Sequence, residues 1–195
     1  MPGISRRDAL RNITAGALGS SVLQLIPIRA AAFAHQLIEQ EKAGTGNYSP
    51  KLFTAHEYQT LSLLCETILP KDEHSGGAIE AGAPEFIDLL SSENSEDYGL
   101  PMRGGLMWLD NYCADRYGQT FLQATPAQRA EVLDLIAYRK NAKTDEGLLP
   151  AVHFFALLRR MTADAFYTSK IGIADLQYIG NTALASFPGC PPIPE

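Results

Sequence analysis

The strongest constraint on the fold is how plainly the chain marks its helix starts. Thr54-Ala55-His56-Glu57 is a capping box: the Thr54 hydroxyl can accept from the third helical amide while Glu57 reaches back to the cap. Behind it Leu61, Leu64, Cys65 and Ile68 recur at helical spacing until Pro70 ends the segment. Thr125-Pro126-Ala127-Gln128 is sharper still, with an N-cap threonine, proline at the first helical position and glutamine at the third. Its helix is expected to run past Tyr138, with Val132, Leu133, Leu135 and Ile136 buried. A short helix from Pro84 through Leu90 turns Phe86, Leu89 and Leu90 inward, and one over 105–117 offers Leu106, Leu109, Tyr112 and Cys113 on one side. The last long helix starts at Pro150 and carries Val152, Phe155, Leu158, Met161 and Phe166. Residues 71–83, rich in Asp, Glu and Gly, and the polar stretch 91–98 read as loops. No run alternates with the period of a strand, and no repeat of useful length appears. The expectation is all-α: a small, bundle-like multi-helix domain with an irregular Gly/Pro-rich C-terminal tail.

The N-terminus carries an address. Ser5-Arg6-Arg7-Asp8-Ala9-Leu10-Arg11 matches the twin-arginine export pattern S-R-R-x-F-L-K, with Ala9 where phenylalanine is usual. A moderately apolar stretch over 13–28 follows, rich in Ala and Gly and too modest for a bilayer span. Ala32-Phe33-Ala34 supplies an A-x-A cleavage site, with His35 as the expected mature start. The competing readings are an amphipathic first helix of the fold, or a signal retained as an anchor; residues 31–42 can continue as helix. The expected organisation is a signal peptide over 1–34, with Arg6 and Arg7 as its export signal. A linker over 35–49, a helical domain over 50–168 and an extended tail over 169–195 follow. The whole chain of 195 residues has a formal charge of −6. Removing 1–34 leaves 12 basic and 21 acidic residues, a balance near −9. Such an acidic body excludes a nucleic-acid surface, which needs a basic stripe against phosphates.

Catalytic machinery is hard to find. The four histidines, His35, His56, His74 and His153, are far apart, and none has the spacing of H-E-x-x-H. Asp72-Glu73-His74 could hold a cation, but beside glycines in a loop it reads better as solvated charge. No C-x-x-C pair exists for zinc or an iron–sulfur cluster, no C-x-x-C-H for haem, and no G-x-S-x-G elbow. Gly44-Thr45-Gly46 lacks the preceding strand and third glycine of a nucleotide fingerprint. The expectation is therefore no catalytic, cofactor-binding or metal-binding residue in this chain. Three cysteines permit one internal disulfide and leave one thiol. Cys65 sits on an apolar helix face, whereas Cys190 in Phe187-Pro188-Gly189-Cys190-Pro191-Pro192 is better placed to reach another chain.

The remaining signal is contact chemistry. Gly76-Gly77-Ala78 and Ala81-Gly82-Ala83-Pro84 permit tight turns and close backbone approach. The tail is too short and proline-bound to build a core, so it must lie along its own domain or a second protein. Tyr178, Gly180, Asn181, Phe187 and Cys190 are its candidate partner-contacting residues, with Tyr167 as a further aromatic anchor.

The run Glu57…Leu69-Pro70…Gly76-Gly77-Ala78…Gly82-Ala83-Pro84-Glu85-Phe86-Ile87-Asp88 resembles the gluconate 2-dehydrogenase subunit 3 family. So do Gly172…Leu176-Gln177-Tyr178-Ile179-Gly180-Asn181 and the closing Pro188-Gly189-Cys190-Pro191; the likeness covers residues 50 to 192. One departure is Gln177, where the family tends to have glycine before the tyrosine. The resemblance implies the small, non-catalytic subunit of a membrane-associated periplasmic flavin dehydrogenase acting on gluconate or related sugars and polyols. In that family the small subunit carries the twin-arginine signal and helps the large subunit leave the cytoplasm, fold and stay soluble. FAD and the catalytic base belong to the large subunit, and a cytochrome c subunit commonly takes the electrons. The implied location is the periplasm, at the inner-membrane surface, with membrane association through the complex. The alternative from the residues alone is a free-standing periplasmic binding or scaffold protein of helical fold.

Overall fold

The computed structural model describes residues 28–178 and 180. Within them lie eight α-helices and no strand: α1 (Ile28–Thr45), α2 (Ala55–Ile68), α3 (Ala83–Glu93), α4 (Leu100–Tyr117), α5 (Pro126–Ala137), α6 (Asn141–Thr144), α7 (Leu149–Tyr167) and α8 (Lys170–Asp175). A π-helical turn (Ser95–Gly99) leads into α4, and a 3-10 turn (Glu146–Leu148) into α7. The chain is all-α, and both capping boxes form: Thr54 with Glu57 at α2, and Thr125 with Gln128 at α5.

The centre of the packing is α7, which touches α2, α3, α4, α5 and α8. Its 19 residues span about 28 Å at 1.5 Å per residue. Val152, Phe155, Leu158, Met161 and Phe166 are all buried, along with Ala151, Phe154, Thr162 and Ala165 between them. Burying a side chain such as Phe86, Leu158 or Met161 completely is worth about 1.5–3 kcal/mol each, so this helix and the faces around it dominate stability. The one buried hydroxyl on α7, Thr162, stays satisfied by donating to the Leu158 carbonyl at 2.8 Å and lying 3.6 Å from the Cys65 sulfur. Cys65 and Cys113 are both buried free thiols, and burial pushes Cys65 up to about 12.

Several boundaries differ from the sequence reading, each for a local reason. Residues 35–45, expected as linker, are the greater part of α1, whose Ala31, Ala34 and Ile38 join the core. Residues 91–93 complete α3 with Ser91 wholly buried, and Asn94 then caps the π-helical turn, its side-chain oxygen accepting from the Asp97 amide. The stretch 91–98 is thus mostly helical. α4 begins at Leu100 rather than 105 because Pro101 supplies a ready first turn; of that turn only Met102 is buried, while Leu100, Pro101 and Arg103 face solvent and blur the apolar face. α5 stops at Ala137, one residue short of Tyr138, which adopts extended dihedrals. Asn141 donates to the orphan carbonyls of Asp134 and Leu135 and so closes the end. The expected extended tail opens with a helical turn, α8. No helix among the described residues is long and apolar enough to cross a membrane.

Candidate functional site

The two blocks of residues that carry the resemblance fold into two different things. The first, 66–88, is a polar clasp. α2 ends at Ile68, two residues before Pro70, and the chain returns so that the Ala78 amide donates to the Leu69 carbonyl at 2.9 Å. Glu66 seals this loop by accepting from the amides of Lys71 and Ile79, both at 3.1 Å. A β-carbon on Gly77 would fall 2.2 Å from that same carboxylate and would push the end of the Glu66 side chain out of its seal. Gly82 takes φ +78, the left-handed region that costs an L-residue about 1–2 kcal/mol, and hands the chain to Pro84 in the first turn of α3.

Asp88 is the hub of the clasp. Its carboxylate is wholly buried on α3 and accepts four hydrogen bonds: the Tyr48 hydroxyl at 2.7 Å, and the amides of Lys51, Leu52 and Phe53 at 2.6, 3.0 and 3.1 Å. These donors fasten the loop before α2 to α3. Burial and the adjacent Asp88 carboxylate push the Tyr48 phenol far up, so it remains a donor at any physiological pH. Glu85, one turn earlier, pairs with Lys42 of α1. Phe86 and Ile87 are in the core. Every residue of the Pro84-to-Asp88 motif is therefore committed to structure.

The second block, at the C-terminal edge, is built to the opposite plan. Ser169 is the N-cap of α8, accepting from the Gly172 amide at 3.1 Å and donating to the Phe166 carbonyl at 2.7 Å. Gly172 lies so close beneath the end of α7 that a β-carbon would sit 2.1 Å from the Phe166 carbonyl oxygen. His35 reaches Thr168 at 3.1 Å and Lys170 pairs with Glu39, so α1 braces this turn. Burial lowers the His35 pKa against the raising pull of the Ala165 carbonyl and of Glu39 and Glu85. Between α1 and α8 runs an open groove of about 520 Å³, lined by His35, Glu39, Lys42, Gly82, Thr168 and Ile173 among others.

Beyond the brace, apolar side chains are left in solvent. Tyr167, Ile173, Leu176 and Tyr178 are all exposed, Leu176 at 57% and Tyr178 at 54%. The chain leaves α8 through a Schellman motif, with the Tyr178 amide donating to the Ile173 carbonyl at 3.1 Å and the Gln177 amide to Ala174 at 3.0 Å. The residue at its left-handed position is Gln177, with φ 51. That is the place where the sequence departs from glycine, and the turn forms nonetheless.

A model of gluconate 2-dehydrogenase subunit 3 matches residues 55–189. The chain belongs to this family. The match starts at α2, so it takes in the clasp and the C-terminal edge and leaves α1 outside. Membership makes the chain an accessory subunit of a multi-subunit gluconate-type dehydrogenase. No curated protein and no solved structure gives a significant match.

Of the tail residues expected to meet a partner, Tyr178 and Gly180 are exposed at the C-terminal edge, Gly180 with φ +90. Asn181, Phe187 and Cys190 lie outside the described residues, as do Arg6 and Arg7 of the export signal. The Asp72–His74 cluster is a turn: Asp72 accepts from the amides of His74 and Ser75, both at 2.8 Å. His56 is paired with Asp110, whose other oxygen accepts from the Phe121 amide, and the pair links α2 to α4. Among the described residues no group of three or more His, Cys, Asp or Glu is placed to hold a metal ion. Sequence reasoning did not single out Leu176 and Ile173 as surface anchors, because it read 169–195 as an extended tail and picked its aromatic, Gly, Asn and Cys residues instead. The signal that could have found them was the brevity of the segment after Gly172, too short to bury a face of its own.

Proposed function

We propose that this chain is the non-catalytic small subunit of a periplasmic FAD-dependent dehydrogenase of gluconate type, acting on a sugar or polyol. Its work is to help export, fold and stabilise the flavoprotein subunit. The family match over residues 55–189 carries this reading. The C-terminal edge supports it, because four large apolar side chains exposed within a dozen residues suit a surface that another subunit covers. The clasp supports it from the other side: Asp88, Glu85 and Glu66 are engaged in holding loops and helices together.

On this reading the flavin and the catalytic base reside in the large subunit, and a cytochrome c subunit accepts the electrons. The complex works in the periplasm at the inner-membrane surface, and Arg6 and Arg7 direct its export by the twin-arginine route. The test is deletion of this chain from a strain that makes the flavoprotein. The expected result is a large subunit that stays cytoplasmic, insoluble or inactive, and that co-purifies with this chain when the gene is restored. A large subunit that is exported, soluble and fully active in the deletion strain overturns the proposal. A monodisperse lone monomer that never captures the flavoprotein points instead to a free-standing scaffold.

A further inference from the structure

The expected processing point lies inside a packed helix. Ala32-Phe33-Ala34 falls in the first half of α1, and Ala31 and Ala34 are both 0% exposed within the core cluster. Phe33 packs against the same cluster, and Ile38 is buried one turn later. His35, the residue on the far side of the expected cut, is held twice: by its hydrogen bond to Thr168 and by ring contact with Phe86 at 5.0 Å between centroids. Further along, Lys42 pairs with Glu85 and fixes the end of the helix to α3.

A peptidase that reads small residues at alternate positions must take its substrate extended, with both small side chains in its own pockets. In α1 the Ala34 side chain is already in a pocket, that of its own domain, and the bond is wound into helix. The export route matters here. A twin-arginine substrate crosses the membrane folded, so α1 is docked before any periplasmic peptidase meets it. Other cleavage points are scarce in the sequence. After the apolar stretch, the A-x-A pairs are Ala30-Ala31-Ala32 and Ala32-Phe33-Ala34, both within α1. Residues 22–27, Val-Leu-Gln-Leu-Ile-Pro, contain no Ala, Gly or Ser.

We infer that the chain is not cut between Ala34 and His35, and that α1 is a permanent part of the domain with the leader segment still attached to it. The leader then acts as the domain's own tether, in addition to its role as an address. This rests on the export reading above.

The test uses the full-length chain purified from the cytoplasm of a host lacking the twin-arginine translocase. It is incubated with leader peptidase in detergent micelles and read by intact mass. The expected result is a chain that retains residues 1–34 while native and yields the His35 terminus only after thermal unfolding. A native chain converted to one beginning at His35 overturns the inference. The same mass measurement on chain recovered from the membrane fraction of an exporting host should show residues 1–34 still present. Because the first arm needs no export, it stands even if Arg6→Lys with Arg7→Lys leaves localisation unchanged, an outcome that would sink only the export reading.

Discussion

The clasp at 66–88 and the edge at 167–180 share a sequence likeness to one family, yet they treat their side chains in opposite ways. In the clasp, two carboxylates are turned to structural donors: Asp88 collects four and Glu66 two. At the edge, apolar groups face outward and are uncovered: Tyr167, Ile173, Leu176 and Tyr178. A buried carboxylate is tolerable only when its oxygens are fully engaged, and an exposed apolar cluster only when something else covers it. A family motif can therefore mark either what holds a subunit together or what it offers to a partner, and only the surroundings of each residue tell which.

The largest effect is expected at Asp88. Asp88→Ala leaves three amides and a phenol without their acceptor, and each buried donor left unsatisfied costs about 1–3 kcal/mol. Water can reach part of the loop, so the net loss should be about 3–5 kcal/mol, a fall in Tm on the order of 10 °C. Asp88→Asn keeps one acceptor oxygen and should lose less than Asp88→Ala. Thermal melts that leave Asp88→Ala within 2 °C of the parent, about 0.7 kcal/mol at this size, break the picture of a self-satisfied clasp. Next is Gly172→Ala, which drives a β-carbon into the backbone carbonyl of Phe166. The backbone there is fixed by Ser169, so the cost should be about 2–3 kcal/mol, with faster hydrogen exchange at 169–178. Gly77→Ala should cost less, because the atom in its way is the end of the Glu66 side chain.

The edge predicts the reverse pattern. Leu176→Asp and Tyr178→Ser change side chains already largely in water, so stability should stay within about 0.5 kcal/mol of the parent. Association with the flavoprotein should weaken roughly tenfold or more for each, the loss of about 1.4 kcal/mol at an anchoring position. Affinity measured by co-purification titration decides it: unchanged binding by both variants removes the edge from the interface and leaves the Leu100 and Met107 face of α4, each 64% exposed, as the next surface to test.

A pH dependence separates the brace from both regions. Burial depresses the folded pKa of His35, so the unfolded chain binds more protons once pH falls below the ordinary histidine value of about 6.5. Stability is then lost as pH drops from 6.5 through that lowered value, by at most about 1.4 kcal/mol per pH unit for a single group. Glu57 adds a second loss at lower pH. Burial opposes it, but the Thr54 amide and the Arg103 guanidinium hold its carboxyl below the usual range, so its contribution is present above about 4.5 and fades below. Melts of His35→Gln between pH 6.5 and 5 should be flatter than the parent's. An identical slope would mean that His35 is not what couples α1 to protons.

Much of this was legible in the sequence because helix punctuation is local. The boxes at Thr54 and Thr125 and the prolines at 84, 126 and 150 depend on residues a few positions away, and all of them start helices where expected. What could not be read were features set by distant partners. α1 looked like leader and linker because Ala31 and Ala34 become core only when α3 lies against them. Asp88 entered the sequence reading only as part of the family motif, because the donors that explain it are about 35 to 40 residues earlier in the chain. The apolar edge was half visible: Tyr178 stood out as an aromatic in a short tail, while Leu176 and Ile173 gained a common exposed position only with the helical turn of α8.

The smallest effect is the most diagnostic of how the edge is shaped. Gln177 occupies the left-handed position of the Schellman motif that ends α8, with φ 51, and a non-glycine residue there carries a cost of about 1–2 kcal/mol. Gln177→Gly removes that strain but adds freedom to the unfolded chain, which returns about 0.5–1 kcal/mol of the gain. The expected net is a stabilisation of about 0.5–1 kcal/mol, confined to α8 and visible as slower exchange of the Tyr178 amide. Partner affinity should change little if the motif already holds Leu176 and Tyr178 as the partner meets them. A Gln177→Gly chain that binds the flavoprotein markedly tighter would show that the edge is preorganised only in part, and that the residue at this position serves the interface as well as the turn.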